Sequence, residues 1–213
     1  MAGIVLADDG IKFDGFTLSQ RPLGGAETAF ISLAEGLAAR GHDVTILNHC
    51  DKAHENHGVK WRPLTDGFPK TADLYIANSG HKLLGKMPRA KRTVFWIHNP
   101  AGYLLKWRYL SRLWKIKPAI VFSGEHHLAT YPKWAPCGER VVIPCGIENR
   151  FMAAEVGHEV PQKRAIFTSN PLRSLDWLVD LWAEKVRFHL MPSCMFLLAR
   201  RLMDRLEMKK PCA

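Results

Sequence analysis

Short apolar runs rich in β-branched residues alternate along this chain with stretches of helical spacing, and this alternation constrains the fold more than any other feature. It is typical of a parallel sheet whose strands are joined by crossover helices. We therefore predict an α/β fold, a Rossmann-like parallel sheet with flanking helices. The predicted strands are Ile4–Ala7, Asp43–Leu47, Val59–Arg62, Leu74–Ala77, Thr93–Ile97, Ala119–Phe122 and Val141–Ile143.

The clearest helix is predicted over Ala26–Arg40, between the first two strands. Its apolar residues recur at the spacing of one buried helical face, and Gly41 stands where a helix commonly ends on a left-handed residue. The order of strand, glycine loop, helix and strand predicts a right-handed crossover unit. The residues assigned to the buried face are Phe30, Leu33, Ala34 and Leu37.

The pattern divides the chain into four segments. After a polar linker that contains Gly and Pro, one further strand is predicted at Arg164–Thr168 and one helix at Ser174–Val186. The strand and turn pattern is then lost, and codons that can encode the tail also encode a strand-like sequence in another frame, so we expect a frameshift near Arg187. The segments are a first domain 1–150, a linker 151–163, an incomplete second αβ unit 164–187 and an aberrant tail 188–213.

Gly24 and Gly25 stand directly before the predicted helix. At that position, bare backbone N–H groups and the positive end of the helix dipole can face an anion, so a phosphate group would fit. The alternative is an ordinary turn that uses glycine for its positive φ. The residues alone leave both interpretations open.

Several motifs occur in order along the chain and together resemble the family 4 glycosyltransferases. The resemblance spans most of residues 1–187. The motifs are the loop Gly24–Glu27 with the return Arg40–Thr45, His98 at the end of a predicted strand, Ser123 after the strand Ala119–Phe122, the junction Val141–Glu148 and the segment Ser169–Asp176.

This resemblance implies the GT-B architecture, in which two Rossmann-like domains face a cleft. It also implies a retaining transferase that moves a sugar from a nucleotide-diphosphate donor to a glycan or a lipid-linked acceptor. The nucleotide sugar is then a substrate, and we predict no cofactor and no metal. Because the family's later acidic donor motif does not occur in this sequence, we expect a truncated chain that is weakly active or inactive.

The resemblance further implies the site residues. His98 would contact the transferred sugar, while Gly24 and Gly25 would approach the donor diphosphate, with Glu27 in the same donor-binding loop. Arg173 would neutralise the diphosphate leaving group, because a fixed guanidinium stabilises the charge that develops there. The residues alone also allow plainer roles: a satisfied histidine at a strand end, an ordinary first-turn helix acid and a solvated arginine.

The net charge of +10 predicts a polyanionic partner, and Leu104–Lys117 carries five Lys or Arg residues with no acid. On a helical wheel its basic side chains form one stripe, with most of the aromatic and aliphatic residues opposite. Such a stripe is typical of a helix on anionic lipid and equally of a core-packing helix with a basic outer face. A non-catalytic membrane-surface or acceptor-binding module is therefore the alternative function. The stripe consists of Arg108, Ser111, Arg112 and Lys115.

Several other classes of protein are not expected. The sequence has no zinc-finger spacing, RNP-like motif or basic heptad array, so we predict no nucleic-acid partner. The five cysteines are widely spaced without a C-x-x-C pair, which favours reduced thiols. No run resembles a secretory signal or a membrane span, so we expect a cytoplasmic protein, with peripheral attachment to the inner face of the membrane left open.

Overall fold

The computed structural model describes residues 1–147, 152–153, 165–167, 174–186 and 194–196. The chain divides into two compact units, Met1–Glu148 and Asn149–Ala213. Among the described residues, no helix is long and apolar enough to cross a membrane.

The first unit is built on eight strands that share one sheet. They are β1 (Gly3–Asp8), β2 (Asp43–Asn48), β3 (His54–Asn56), β4 (Val59–Pro63), β5 (Ala72–Asn78), β6 (Ala90–Trp96), β7 (Ala119–Phe122) and β8 (Glu139–Val142). The order in the sheet is β3-β4-β2-β1-β5-β6-β7-β8, and every neighbouring pair is parallel except β3 and β4. The predicted α/β fold with a parallel sheet is therefore confirmed.

All seven strands predicted for this unit are present, with their ends shifted by a few residues. The strand that the sequence did not predict is β3, which pairs antiparallel with β4 across the two-residue turn His57-Gly58. Both turn residues have positive φ angles, 49° and 73°, as the favoured hairpin turns require. A three-residue polar edge strand carries too few side chains to show a hydrophobic alternation.

The helices described in this unit are α1 (Thr17–Gln20), α2 (Gly25–Ala39), α3 (Trp107–Ile116) and α4 (Glu125–Ala129). The bounds of α2 agree with the predicted helix to within one residue at each end. The predicted stop is also confirmed, because Gly41 has a φ of 82° and its N–H donates to the carbonyl oxygen of Ala38 at 2.8 Å.

The burial of side chains along α3 can be compared with the helical wheel. Tyr109 and Leu113 are buried against the core, as the wheel predicts. Trp107 and Trp114 are 75% and 68% exposed, so these two large aromatic side chains do not lie on the core side. The wheel placed most of the aromatic and aliphatic residues on the side away from the basic stripe, and these two tryptophans are the large aromatic side chains of α3 that the core does not cover.

The core lies on both faces of the sheet, because side chains alternate along each strand. Leu6 of β1 packs in the cluster beneath α2, with Phe30. Its neighbour Ala7 packs in the cluster beneath α3 and α4, with Leu113. Complete burial of a side chain such as Phe30 or Leu113 stabilises the fold by about 1.5–3 kcal/mol. Two buried faces explain why the central strands are almost continuously apolar.

In the second unit, the described segments form a small parallel pair of strands and one helix. They are β9 (Ala165–Phe167), α5 (Leu175–Leu181) with a π-helical turn at Trp182–Val186, and β10 (Cys194–Phe196). Strand β10 lies within the segment 188–213, where the strand and turn pattern of the sequence is lost. Backbone pairing with β9 forms β10 without a readable local pattern. Most of the predicted linker 151–163 lies outside the described residues.

Candidate functional site at the carboxyl edge of the sheet

The carboxyl ends of β1 and β5 lie side by side where the direction of the chain along the sheet reverses. From β1, the chain adds β2 and β4 on one side and β5 to β8 on the other. A reversal of this kind leaves a crevice at the carboxyl edge, where α/β proteins bind their ligands. Asp8 ends β1 and Asn78 ends β5, and the two residues are register partners.

Asp8, Asn78 and His98 are joined by hydrogen bonds, and we call them the polar chain. Asn78 Nδ2 donates to Asp8 Oδ2 at 2.6 Å, and Asn78 Oδ1 lies 2.9 Å from His98 Nε2. The other oxygen of Asp8 accepts from the N–H of Gly10 at 2.9 Å. Because Asp8 and Asn78 are 6% and 4% exposed, these bonds satisfy polar groups that water scarcely reaches.

The hydrogen bonds determine which nitrogen of His98 carries the proton. Asn78 uses its amide nitrogen toward the Asp8 carboxylate, so its carbonyl oxygen is the atom that faces His98. An amide oxygen only accepts, and His98 Nε2 must therefore donate. Within the described residues Nδ1 of His98 has no hydrogen-bond partner. In the neutral ring this nitrogen is an acceptor, suited to a ligand hydroxyl group.

Burial controls the ionisation of both ends of the polar chain. It raises the pKa of Asp8 above the ordinary value of 3.8, against the lowering effect of the bonds from Gly10 and Asn78. It lowers the pKa of His98 below the ordinary value of 6.5, and the nearby Glu27 carboxylate opposes this change. His98 is therefore neutral at pH 7, in agreement with its hydrogen bonding.

The glycine loop forms the start of α2, with Gly24 as the N-cap residue and Gly25 as the first helical residue. Gly24 has φ −66° and ψ 158°, and neither glycine has a positive φ. The interpretation of the loop as a positive-φ turn is therefore wrong. A Cβ on Gly24 would overlap the Glu27 carboxylate, whereas nothing lies within 4 Å of a Cβ built on Gly25. Open space thus borders the first turn of α2 at Gly25.

Glu27 is half-buried and its side chain folds back over Gly24. It occupies the third helical position, where a glutamate commonly turns back toward the N-cap. Its charge raises the pKa of both Asp8 and His98, so the start of α2 lies close to the polar chain. Interaction of this carboxylate with the helix dipole is favourable by about 0.3–1 kcal/mol. An anion that binds here meets Glu27 as a like charge.

A second histidine, His127, holds the loop that follows His98. The N–H of Ser123 donates to His127 Nδ1 at 3.1 Å, and His127 Nε2 lies 2.7 Å from the carbonyl oxygen of Asn99. A backbone N–H only donates and a carbonyl only accepts, so Nδ1 of His127 accepts and Nε2 donates. Both of its nitrogens are used within the protein, and its role here is to position the loop.

Four of the five residues predicted for the site are described. His98 lies at the carboxyl edge of β6, and Gly24, Gly25 and Glu27 form the start of α2 near the polar chain. Arg173 lies outside the described residues. The geometry therefore brings His98 and the glycine loop to one edge of the sheet.

The sequence reasoning did not select Asp8 or Asn78. A signal for both was present, since each is a polar residue directly after a predicted buried strand. Parallel strands end at the same edge of a sheet, so two such residues on neighbouring strands can meet. Which strands are neighbours is a property of the sheet order.

A groove of about 1040 Å³ opens elsewhere, along β6 to β8 and the end of α3, with Arg92, Lys115 and Glu139 among its lining residues. No residue of the polar chain lines it. We place the candidate site at the carboxyl edge because the reversal of strand order and the hydrogen-bonded ionisable groups coincide there. Among the residues described, no group of three His, Cys, Asp or Glu side chains could hold a metal ion.

Comparisons of this chain with models of known protein families, with curated proteins and with solved structures give no match.

Proposed function

We propose that this chain is a retaining glycosyltransferase of the family 4, GT-B type, which binds a nucleotide-diphosphate sugar. Its transfer of the sugar to a glycan or lipid-linked acceptor is weak or absent, because the family's later acidic donor motif does not occur in the sequence. The observation that carries the proposal is the polar chain, which ends in a neutral histidine acceptor close to an exposed helix N-terminus. The two features suit the two parts of such a donor: hydroxyl groups at one end and a diphosphate at the other.

The sugar end is matched by His98. Because Asn78 holds its Nε2–H, the ring presents Nδ1 in a fixed direction as an acceptor for a sugar hydroxyl. Asp8 holds Asn78 in turn, so the orientation of the imidazole is set by buried groups on two neighbouring strands. A preorganised acceptor binds its ligand with a smaller loss of side-chain freedom.

The diphosphate end is matched by the start of α2. The absence of a side chain at Gly25 leaves its backbone open to close approach, and the helix dipole favours an anion there. Glu27 opposes the anion, so the proposal requires its carboxylate to turn away from Gly24 when the donor binds. The resemblance assigns to Arg173 the cation that would compensate the diphosphate charge.

We also propose a cytoplasmic location. Three cysteines of the first unit, Cys50, Cys137 and Cys145, are free thiols, which suits a reducing compartment.

The test measures affinities of the full chain by isothermal titration calorimetry. It compares UDP- and GDP-sugars with UDP and GDP alone. His98→Ala should weaken binding of the nucleotide sugar about 3- to 10-fold, the value of one hydrogen bond, and leave the nucleotide diphosphate unaffected. The matched control is His126→Ala. It removes an exposed histidine that is adjacent in sequence to His127, the residue that positions the loop after His98. Transfer of labelled sugar to lipid-linked and glycan acceptors is measured alongside.

Loss of sugar discrimination in His98→Ala but not in His126→Ala supports the proposal. Failure of every nucleotide sugar to bind, or an equal loss for the sugar-containing and sugar-free nucleotide, contradicts it. Circular dichroism of each variant separates loss of the contact from loss of the fold.

A further inference from the structure

The solvent face of α3 carries two large aromatic side chains in one line. Trp107 and Trp114 are seven residues apart, which is close to two helical turns, and both are more than two-thirds exposed. Exposed tryptophans on one side of a helix form an apolar strip that the folded unit does not cover. Such a strip indicates an interaction surface.

Basic residues surround this strip. Those that the structure shows as exposed are Lys106, Arg108, Lys115 and Lys117. The stretch from 104 to 117 has no acidic residue, and none of these four cations forms an ion pair with another described residue. Together with the two tryptophans they form what we call the α3 surface, and its charge is complementary to an anionic partner.

The α3 surface is supported by packing of the buried side of the helix against the core. Leu113 is fully buried and Tyr109 is 7% exposed, in the same cluster as Phe95 of the sheet. The N–H of Lys117 donates to the carbonyl oxygen of Leu113 at 2.8 Å and closes the helix in a left-handed conformation. The tryptophans and cations are therefore presented on a rigid helix, which reduces the ordering cost of binding.

We propose that the α3 surface docks on an anionic lipid bilayer. Trp107 and Trp114 enter the headgroup boundary, where an amphipathic ring can place its apolar body in lipid and its N–H in water. The flanking cations bind the acidic headgroups. This inference is independent of the donor site, because no residue of the polar chain lies on α3.

The shape of the α3 surface favours a bilayer over a nucleic acid. Single-stranded nucleic acids are bound in charged grooves that follow the backbone, with bases stacked on aromatic rings. Lys115 and Lys117 also line the groove along β6 to β8, but neither Trp107 nor Trp114 does, so a strand in that groove would not stack its bases on them. The two tryptophans lie instead along the exposed side of α3, where they offer a flat or deformable partner a line of contact. A lipid surface can meet the whole line at once.

The experiment uses the full chain and sedimentation with vesicles of phosphatidylcholine alone or mixed with phosphatidylserine. We expect binding to the mixed vesicles only, and weaker binding as the salt concentration is raised. Because segment 188–213 is also basic, binding by itself is not sufficient support. The decisive comparison is between variants of α3 and variants near β3, at the far edge of the sheet.

The aromatic arm compares Trp107→Ala/Trp114→Ala with Phe16→Ala. Phe16 is also an exposed aromatic residue, but it stacks on His54 of β3, the strand at the far edge of the sheet. The double tryptophan variant should lower the partition coefficient about tenfold, which corresponds to about 1.4 kcal/mol. The Phe16 variant should leave it unchanged.

The charge arm compares Arg108→Glu/Lys115→Glu with Lys52→Glu, a charge reversal of an exposed lysine between β2 and β3. At about 1 kcal/mol for each surface cation, loss of two should weaken binding on the order of 30-fold or more. The Lys52 variant should differ little from the unmodified chain.

Equal binding by all variants would overturn the proposal, and so would absence of binding to acidic vesicles. Labelled single-stranded RNA is added in a separate titration. Tight binding of RNA that depends on Trp107 and Trp114, without vesicle binding, would assign the α3 surface to nucleic acid instead. Failure of sugar-nucleotide binding with intact vesicle binding would contradict the proposed transferase and leave the membrane surface standing.

Discussion

Replacement of Asn78 by leucine tests whether the polar chain is a connected, buried network. Asn78→Leu keeps the approximate volume but removes a bond to the Asp8 carboxylate and a bond from His98. A hydrogen bond to a charged group contributes about 1.5–3 kcal/mol and one between neutral groups about 0.5–1.5 kcal/mol. We therefore expect the free energy of unfolding to fall by about 2–4 kcal/mol.

The pH dependence of this loss identifies Asp8 as the group responsible. The bond from Asn78 lowers the pKa of Asp8, so its removal raises that pKa further above 3.8. A carboxyl whose pKa is raised in the folded state destabilises the protein at higher pH, and this cost disappears as pH falls and the group is protonated in both states. The difference between Asn78→Leu and the unmodified chain should therefore be largest at neutral pH and narrow toward pH 3.8.

The assay is urea unfolding followed by far-ultraviolet circular dichroism at several pH values, with the slope checked for each variant. Asn99→Leu is the matched control, because Asn99 is exposed and only its backbone carbonyl is used, by His127. It should change the free energy of unfolding by no more than about 0.5 kcal/mol. A connected buried network is contradicted if Asn78→Leu lowers the free energy of unfolding no more than this control does, or if the decrease does not depend on pH.

Three further outcomes follow from the same structure. Gly25→Ala should stabilise α2 by about 0.4–1 kcal/mol, because the added methyl meets open space, while Gly24→Ala should bring no such gain; thermal unfolding compares the two. Gly138→Ala should destabilise the first unit by about 1–3 kcal/mol, because its Cβ would overlap the Lys117 carbonyl oxygen, and an unchanged urea midpoint would contradict this packing. In Asp8→Asn, the stabilising contribution that protonation of Asp8 makes as pH falls toward 3.8 should be absent, so the pH series of the variant and of the unmodified chain should differ by that contribution.

The helix α2 shows what local sequence can predict. Its apolar residues repeat at helical spacing, and Gly41 marks its end, so both the helix and its bounds were predicted to within a residue. The central strands could also be predicted, because burial on both faces of the sheet makes them nearly continuous apolar runs. By contrast, β3 and β10 depend on pairing with a neighbouring strand, which no local pattern records.

The α/β class, the main strands and α2 can be predicted from the sequence alone, because each is specified by residues close together in the chain. The polar chain follows from the folded arrangement, because Asp8 lies 70 residues from Asn78, and Asn78 lies 20 from His98. The side of α3 that reaches solvent was also decided there, since packing of Tyr109 and Leu113 leaves the two tryptophans outside. Sequence periodicity describes one element at a time, whereas contacts between elements depend on the sheet order and on which faces are covered.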